Sequence, residues 1–315
     1  MIDAQILVLG SEGAIGTHLV RMLHDFMPLT SVVRVSRSAV LDNQESGFDT
    51  VMVGDLLDSH FVESIFNKHK IQVVIFCAAK WNGLNQDPTV LDVNITMFNN
   101  VLSAMTESVS NFIYLSSSAV YEELQISDSQ EIGVLPFSTY GKSKLISEIL
   151  LMNKAKIENI STIIYRPFHV VSPIEEYLPG RSHITTDFVH RYIELDSDFD
   201  WDSLPDDVFI PFYWVDDLCK IIVENIFDQE SYGKTFNIGA SSSYSIIDLA
   251  KCVAVVASKY GLSSRRAPLL EGELVPIQNG MITQLHTTRS KGRDRDLIEI
   301  VDKFITEKYG LDYEC

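Results

Sequence analysis

Residues 9–20, LGSEGAIGTHLV, place Gly10, Gly13 and Gly16 between a short apolar run and the first turns of a helical pattern. Glycines at such a junction permit a tight turn, a close backbone approach to a pyrophosphate, and close packing of helix on strand. The amide-rich helix N-terminus then faces the anion. A plain glycine-rich turn would also use three glycines, but the strand before and the helix after supply the context a phosphate loop requires. The spacing is G-x-x-G-x-x-G, not the commoner G-x-G-x-x-G.

Outward from this loop, β-branched runs alternate with segments of helix length. QILVLG (5–10), SVVRVS (31–36), TVMVGD (50–55), VVIFCAA (73–79), NFIYLSS (111–117) and STIIYRP (161–167) read as strands, several apolar enough to be covered on both faces. The alternation predicts right-handed crossovers and an α/β fold, a doubly wound parallel sheet. After Pro173 the pattern changes. An Asp- and aromatic-rich stretch, ELDSDFDWDSLPDDVFIPFYWVDD, precedes a helix near 216–227. The expected organisation is a dinucleotide-binding domain over 1–170 and a smaller substrate-binding lobe over 171–315, with 210–240 returning partly to the main sheet. FNIG (236–239) reads as that returning strand. SIIDLAKCVAVVASKYG (245–261) reads as a helix with Asp248 in its first turn, and a last helix is expected over 295–309.

The chain has 315 residues, 46% of them hydrophobic, enough to bury a large core. Its net charge of −18 opposes binding to nucleic acid or an anionic membrane surface. No segment offers about 20 consecutive apolar residues, and no basic region precedes the first apolar run, so a cytoplasmic location is expected. Cys77, Cys219, Cys252 and Cys315 are scattered without C-x-x-C spacing, which argues against a zinc site or a disulfide framework. No metal site is expected; the acidic run from Asp196 to Asp207 reads as a solvated loop.

The stretch PFSTYGKSKLISE (136–148) sets Lys144 four residues after Tyr140, and no other tyrosine in the chain has a lysine at that spacing. Ser138 or Thr139 can cap the helix, and positions i and i+4 share a face, so Tyr140 and Lys144 project together while Lys142 points elsewhere. A phenol has a pKa near 10. Its use as a proton donor and acceptor near neutrality needs a nearby cation that stabilises phenolate. A hydroxyl from another strand end would orient the reacting oxygen, and Ser116, Ser117 and Ser118 lie at the carboxyl edge of the sheet, where ligands bind in such folds.

With these motifs in place the chain resembles an extended short-chain dehydrogenase/reductase of the NAD-dependent epimerase/dehydratase branch, whose members modify nucleotide-linked sugars. The resemblance runs through the glycine loop, GDL (54–56), CAA (77–79), VN (93–94), SSSAVY (116–121), YGKSK (140–144), YRPFHVVSP (165–173), WVDDL (214–218) and FNIG (236–239). It implies that Tyr140 is the acid/base, that Lys144 holds the nicotinamide ribose and tunes the tyrosine, and that Ser117 binds the reacting oxygen, with Ser116 and Ser118 as rivals. The cofactor-binding set it implies is Gly10, Gly13, Ala14, Ile15, Gly16, Ser36, Arg37, Asp55, Leu56, Ala78, Ala79, Tyr140, Lys144 and Pro167. Lys80, Ser118, His183 and Arg289 are the expected substrate contacts. A homodimer is also implied, through the helix that carries Tyr140, where Leu145, Ile146, Ile149, Leu150 and Met152 cover more than one face.

The second strand ends in Ser36-Arg37-Ser38, where NAD-binding members place an acidic residue for the adenosine ribose. An arginine there suits a 2′-phosphate, so NADP is expected, with NAD the alternative. Asp55 either accepts from the adenine or caps the following turn. Ser117-Ser118-Ala119 lacks the acid and base of 4,6-dehydratases. Arg37 therefore favours NADPH-dependent reduction of a keto-sugar, with epimerisation on retained NAD(P), small-carbonyl reduction, or a non-enzymatic cofactor-binding scaffold as alternatives. SHITTDFV (182–189) resembles a segment of the enzymes that make GDP-fucose, with His183 at the position of a proton-donating histidine; Ala119 stands where those enzymes carry a partner cysteine. Ile210 stands where many members carry a nucleotide-binding arginine, leaving Arg181, Arg191, Arg265, Arg266 and Arg289 as candidates for a diphosphate. Tyr140→Phe is expected to leave cofactor affinity nearly normal and to lower turnover by orders of magnitude, measured by titration and steady-state kinetics; near-normal turnover would refute the acid/base role.

Overall fold

Runs of Val, Ile and Leu too apolar for an exposed face become strands wherever Gly, Ser or Asp ends them, and the connecting segments coil into amphipathic helices. A computed structural model of the chain describes residues 5–37, 49–81, 83, 87–121, 134–194, 200–205, 207–262, 276–278 and 295–312. In chain order the elements are β1 (Gln5–Leu9), α1 (Gly16–Phe26), β2 (Ser31–Ser36), β3 (Asp49–Val53), α2 (Ser59–Lys68), β4 (Ile71–Phe76), α3 (Thr89–Ala104), β5 (Asn111–Leu115), α4 (Thr139–Glu158) and β6 (Ser161–Pro167). There follow β7 (Val170–Val171), α5 (Ile184–Ile193), β8 (Phe209–Ile210), β9 (Tyr213–Trp214), α6 (Val215–Asn225), β10 (Lys234–Ile238), β11 (Ser242–Ser245), α7 (Ile246–Lys259), β12 (Ile277–Gln278) and α8 (Leu297–Tyr309).

Two compact units result, one of Met1–Pro167 with Cys219–Asn237, the other of Phe168–Leu218 with Ile238–Cys315. The returning segment is thus shorter than the expected 210–240, and the first boundary falls at Pro167, where β6 ends. The physical reason lies in α6, one continuous helix whose partners change along it. Asp217 in its first turn pairs with Arg295 at 2.5 Å in the second unit, whereas the Cys219 thiol approaches the Ile15 carbonyl at 3.7 Å in the first.

The first unit is built on a seven-stranded sheet of order β10-β6-β5-β4-β1-β2-β3. Every pairing from β3 across to β6 is parallel. The chain runs outward from β1 through β2 to β3, then returns to place β4 on the other side of β1. That reversal opens a crevice at the carboxyl ends of β1 and β4, the switch point at which open α/β sheets take ligands. Beneath it lies an aromatic cluster. Phe98 of α3 meets Phe76 at 5.0 Å, Tyr114 at 4.9 Å and Phe112 at 5.9 Å between ring centroids, all four buried.

In the second unit β11 pairs antiparallel with both β12 and β8, and β7 pairs parallel with β9. Helix α7 starts on a capping box, in which the Ser245 hydroxyl accepts from the Asp248 amide and the Asp248 carboxylate accepts from Ser245; this is the role its first-turn acid takes. No helix among the described residues is long and apolar enough to cross a membrane. Phe98→Ala should lower stability by about 3–5 kcal/mol, since the three rings around it cannot close the cavity. Urea unfolding of the variant beside the wild type checks this, as a lowered midpoint at unchanged slope.

Candidate functional site

The glycine loop occupies the switch point, and its glycines are there for space. Gly10 has φ of +83°, and a Cβ on it would lie 2.7 Å from the Ala78 nitrogen. A Cβ on Gly16 would lie 2.0 Å from the Gly10 carbonyl oxygen. Between them, the Gly13 amide donates to that same oxygen at 3.1 Å and the Thr17 amide to the Gly13 carbonyl at 3.0 Å. Gly10, Gly13, Ala14, Ile15 and Gly16 thus bring the chain round to the N-terminus of α1, with Gly10 directly beside Ala78 after β4. These residues fit the pyrophosphate of a dinucleotide.

Two side chains of the loop reach the end of β2. The buried Ser11 hydroxyl donates to the Val35 carbonyl at 3.0 Å. Glu12 is exposed, and its carboxylate accepts from the Ser36 hydroxyl and, at 3.3 Å, from the Arg37 amide. Sequence reasoning did not single out Glu12. Arg37 itself has an exposed side chain, and Ser38 lies outside the described residues. Asp55 takes the capping role, its carboxylate accepting from the Leu57 amide at 2.9 Å. Leu56 is buried, and Asn100 holds its carbonyl at 2.9 Å.

The acid/base candidates come from α4. Ser138 caps the helix by accepting from the Gly141 amide at 2.9 Å. A Cβ on Gly141 would sit 2.3 Å from the Ala119 carbonyl oxygen, so glycine alone lets the first turn of α4 close on the SSSAVY segment. Tyr140 and Lys144 share a face as the spacing requires, with Lys144 Nζ 5.5 Å from the Tyr140 ring centroid. Lys144 is 3% exposed and donates to the Leu115 carbonyl at 2.7 Å. Lys142 is exposed, as expected.

The serine cluster divides its duties. Ser116 is buried and donates to the carboxylate of Glu148, which also accepts from Arg166 at 2.9 and 2.5 Å. Arg166 in turn donates to the Tyr121 hydroxyl, which donates to Asn237 at 2.9 Å. Ser117 stands at the strand end, its hydroxyl accepting from the Ala119 amide at 3.1 Å, and Ser118 opens the short 3-10 turn Ser118–Tyr121. Pro167 closes β6. Glu148, though not anticipated, was findable: it lies four residues beyond Lys144, on the face of Tyr140 and Lys144. Asn94 of VN joins the same frame, donating to the Lys80 carbonyl and to the Ser143 hydroxyl, both at 3.0 Å.

Three expected substrate contacts stand differently. The Lys80 amine is held by Asp87 at 3.1 Å and Thr89 at 2.6 Å, so it braces the loop before α3. His183 lies in the second unit at the start of α5, its Nδ1 paired with Glu175 at 2.6 Å. Burial would raise the Glu175 carboxyl, but hydrogen bonds from His183 and Thr186 hold it below its usual range. Arg289 falls outside the described residues, as do Arg265 and Arg266, and most of the Asp196–Asp207 run. Arg191 is tied to Asp187 at 2.6 Å. No group of three or more His, Cys, Asp or Glu placed to hold a metal occurs among the described residues.

Burial lowers the Lys144 ammonium to about 8, a shift that Cys77 and Glu148 partly oppose; burial pushes the Cys77 thiol up to about 12. Between about pH 8 and the ordinary lysine range, the unfolded chain therefore binds a proton that the native state has lost, so this residue makes stability rise with pH there. Urea unfolding of wild type and Lys144→Met across that range should show the wild type gaining on the variant as pH increases; a constant difference would contradict it.

Comparison with known proteins extends this picture. The model of the NAD dependent epimerase/dehydratase family matches residues 6–239. The UDP-glucose 4-epimerase of Lactobacillus helveticus is 25% identical over 83% of this chain and 85% of its own length. That of Erwinia amylovora is 28% identical over 83% and 86%. The crystal structure of the UDP-glucose 4-epimerase of Thermotoga maritima superposes with a TM-score of 0.74 at 19% identity, covering 97% of this chain and 98% of its own.

Proposed function

The chain belongs to the NAD dependent epimerase/dehydratase family, and from that premise we propose that it interconverts epimers of a nucleotide-linked sugar by oxidising and re-reducing one carbinol carbon. The observation that carries the reading is the shared face of α4, where Tyr140 stands over a buried Lys144, set against the serine-bearing strand end that Gly141 allows to come close. When bound, NAD supplies the acceptor and donor of hydride. This chain's own residues manage the proton. The Tyr140 phenolate takes it from the sugar hydroxyl as the carbonyl forms, and the resulting phenol returns it as the alcohol is restored. The Lys144 ammonium, steered by the Leu115 carbonyl, stabilises the phenolate. With Ser116 committed to Glu148, Ser117 is the hydroxyl that donates to the reacting oxygen.

The relatives named UDP-glucose 4-epimerase support this class of substrate and reaction. Reduction of a nucleotide-linked keto-sugar with NADPH, expected on the strength of Arg37, is the second reading; it keeps the same roles for Tyr140, Lys144 and Ser117. A homodimer accompanies either reading. Ile146, Ile149 and Met152 on α4 are 38%, 47% and 47% exposed, an apolar face suited to a second copy.

The experiment is incubation with UDP-, GDP- and dTDP-linked hexoses, followed by proton NMR and nicotinamide absorbance. Epimerisation yields an equilibrium pair of sugars without net cofactor turnover, and Ser117→Ala should slow it about 100-fold, the loss typical of one oxyanion donor. Stoichiometric consumption of NADPH with a keto-sugar, and no epimer, would replace this reading with the second.

A further inference from the structure

We propose that Glu12, carried by the glycine loop, selects the cofactor's adenosine ribose: it accepts from an unphosphorylated 2′-hydroxyl and rejects a 2′-phosphate, so the chain takes NAD in preference to NADP. The inference rests on the reading that this loop holds an adenine dinucleotide. In a doubly wound sheet, pyrophosphate at the N-terminus of α1 puts the adenosine ribose at the end of β2, where an acid favours NAD and an arginine accommodates NADP. By sequence position this strand end offers Ser36 and Arg37, and the expectation of NADP follows from the arginine.

Space alters the inventory. Glu12 stands 24 residues before Ser36, yet its carboxylate caps that strand end, accepting from the Ser36 hydroxyl and from the Arg37 amide. Three further features fix it there. Gly13 turns the chain immediately after it, Ser11 is stitched to Val35 at 3.0 Å, and Ser36 is 4% exposed, so loop and strand move as one piece. The carboxylate itself is exposed, with acceptor capacity beyond the two donors it meets. Its single negative charge offsets the single positive charge of Arg37. The strand end therefore presents no net positive charge to a phosphate carrying close to two negative ones. A hydroxyl meets no such opposition. The acid that a sequence alignment by strand position would seek after β2 is supplied from the other side of the turn.

The test is equilibrium binding, by calorimetry, of NAD and NADP to protein freed of any cofactor retained through purification, without sugar substrate. Wild type should bind NAD about tenfold or more tightly than NADP, from like-charge repulsion in a partly solvated site. Glu12→Gln, which keeps shape and removes charge, should shrink that ratio to about threefold or less, chiefly by tightening NADP. Glu12→Asp retains the charge and should retain the preference, and a melting curve on each variant reports whether the loop still folds. NADP binding at least as tightly as NAD in the wild type would overturn the proposal and leave the cofactor reading standing. So would a ratio unchanged in Glu12→Gln with a normal melting curve. Binding of neither dinucleotide would overturn the proposal together with the reading on which it rests.

Discussion

The contact between Gly16 and the Gly10 carbonyl governs the first unit: a Cβ at that place would sit 2.0 Å from the oxygen, well inside any tolerable approach. Because nothing intervenes, α1 starts hard against the end of β1, and the positive end of its dipole meets the crevice where β1 and β4 part. Gly10 does the same on the other side, where an added Cβ would lie 2.7 Å from the Ala78 nitrogen. Two missing methyl groups thus keep the junction of β1, α1 and β4 open to an anion.

The same device recurs at α4. Gly141 lets the helix meet Ala119, and the helix carries its chemistry in steps of four: Tyr140, Lys144, Glu148. Each step faces a different partner. Tyr140 lies at the open end, Lys144 meets the Leu115 carbonyl, and Glu148 receives Ser116 and Arg166. A buried ion pair of this kind adds little net stability against an apolar alternative, but breaking one partner leaves a charge uncompensated, which costs about 3–5 kcal/mol. Its value here is geometric. By occupying Ser116 it leaves Ser117 and Ser118 as the candidates at the strand end.

How much of this was legible in sequence depends on the range of the interaction. Strands β2 and β6 match the expected SVVRVS and STIIYRP residue for residue, because a β-branched run with polar ends contains its own boundaries. The Tyr140–Lys144 face was legible for the same reason, helix periodicity being local, and Glu148 would have followed from one more step. The division of α6 between two units was not legible, since a continuous amphipathic helix carries no mark where its partners change. Lys80 read as a cation near the site; its pairing with Asp87 is a contact between residues seven apart that no helix or strand period announces. Glu12 was hidden most completely. A charge between two glycines reads as solvated loop, and only the approach of β2 gives its carboxylate a position.

Electrostatics tie these pieces into one design. The chain carries a net charge of −18, yet the proposed reaction needs a cation beside a phenol. An exposed lysine would be screened by water and counter-ions and would stabilise phenolate weakly. Burying Lys144 strengthens its field at Tyr140 but erodes its own proton, which is why the ammonium falls to about 8. Complete isolation would neutralise it near physiological pH. Glu148, two turns from the tyrosine, offsets part of that loss, and its own charge is absorbed by Arg166. Glu148 stands one turn beyond the lysine, on the side away from the tyrosine, and its carboxylate is held by Arg166 and Ser116. The i+4 and i+8 spacing thus puts the compensating charge behind Lys144 and leaves the side towards Tyr140 to the cation, as the proposed acid/base role requires.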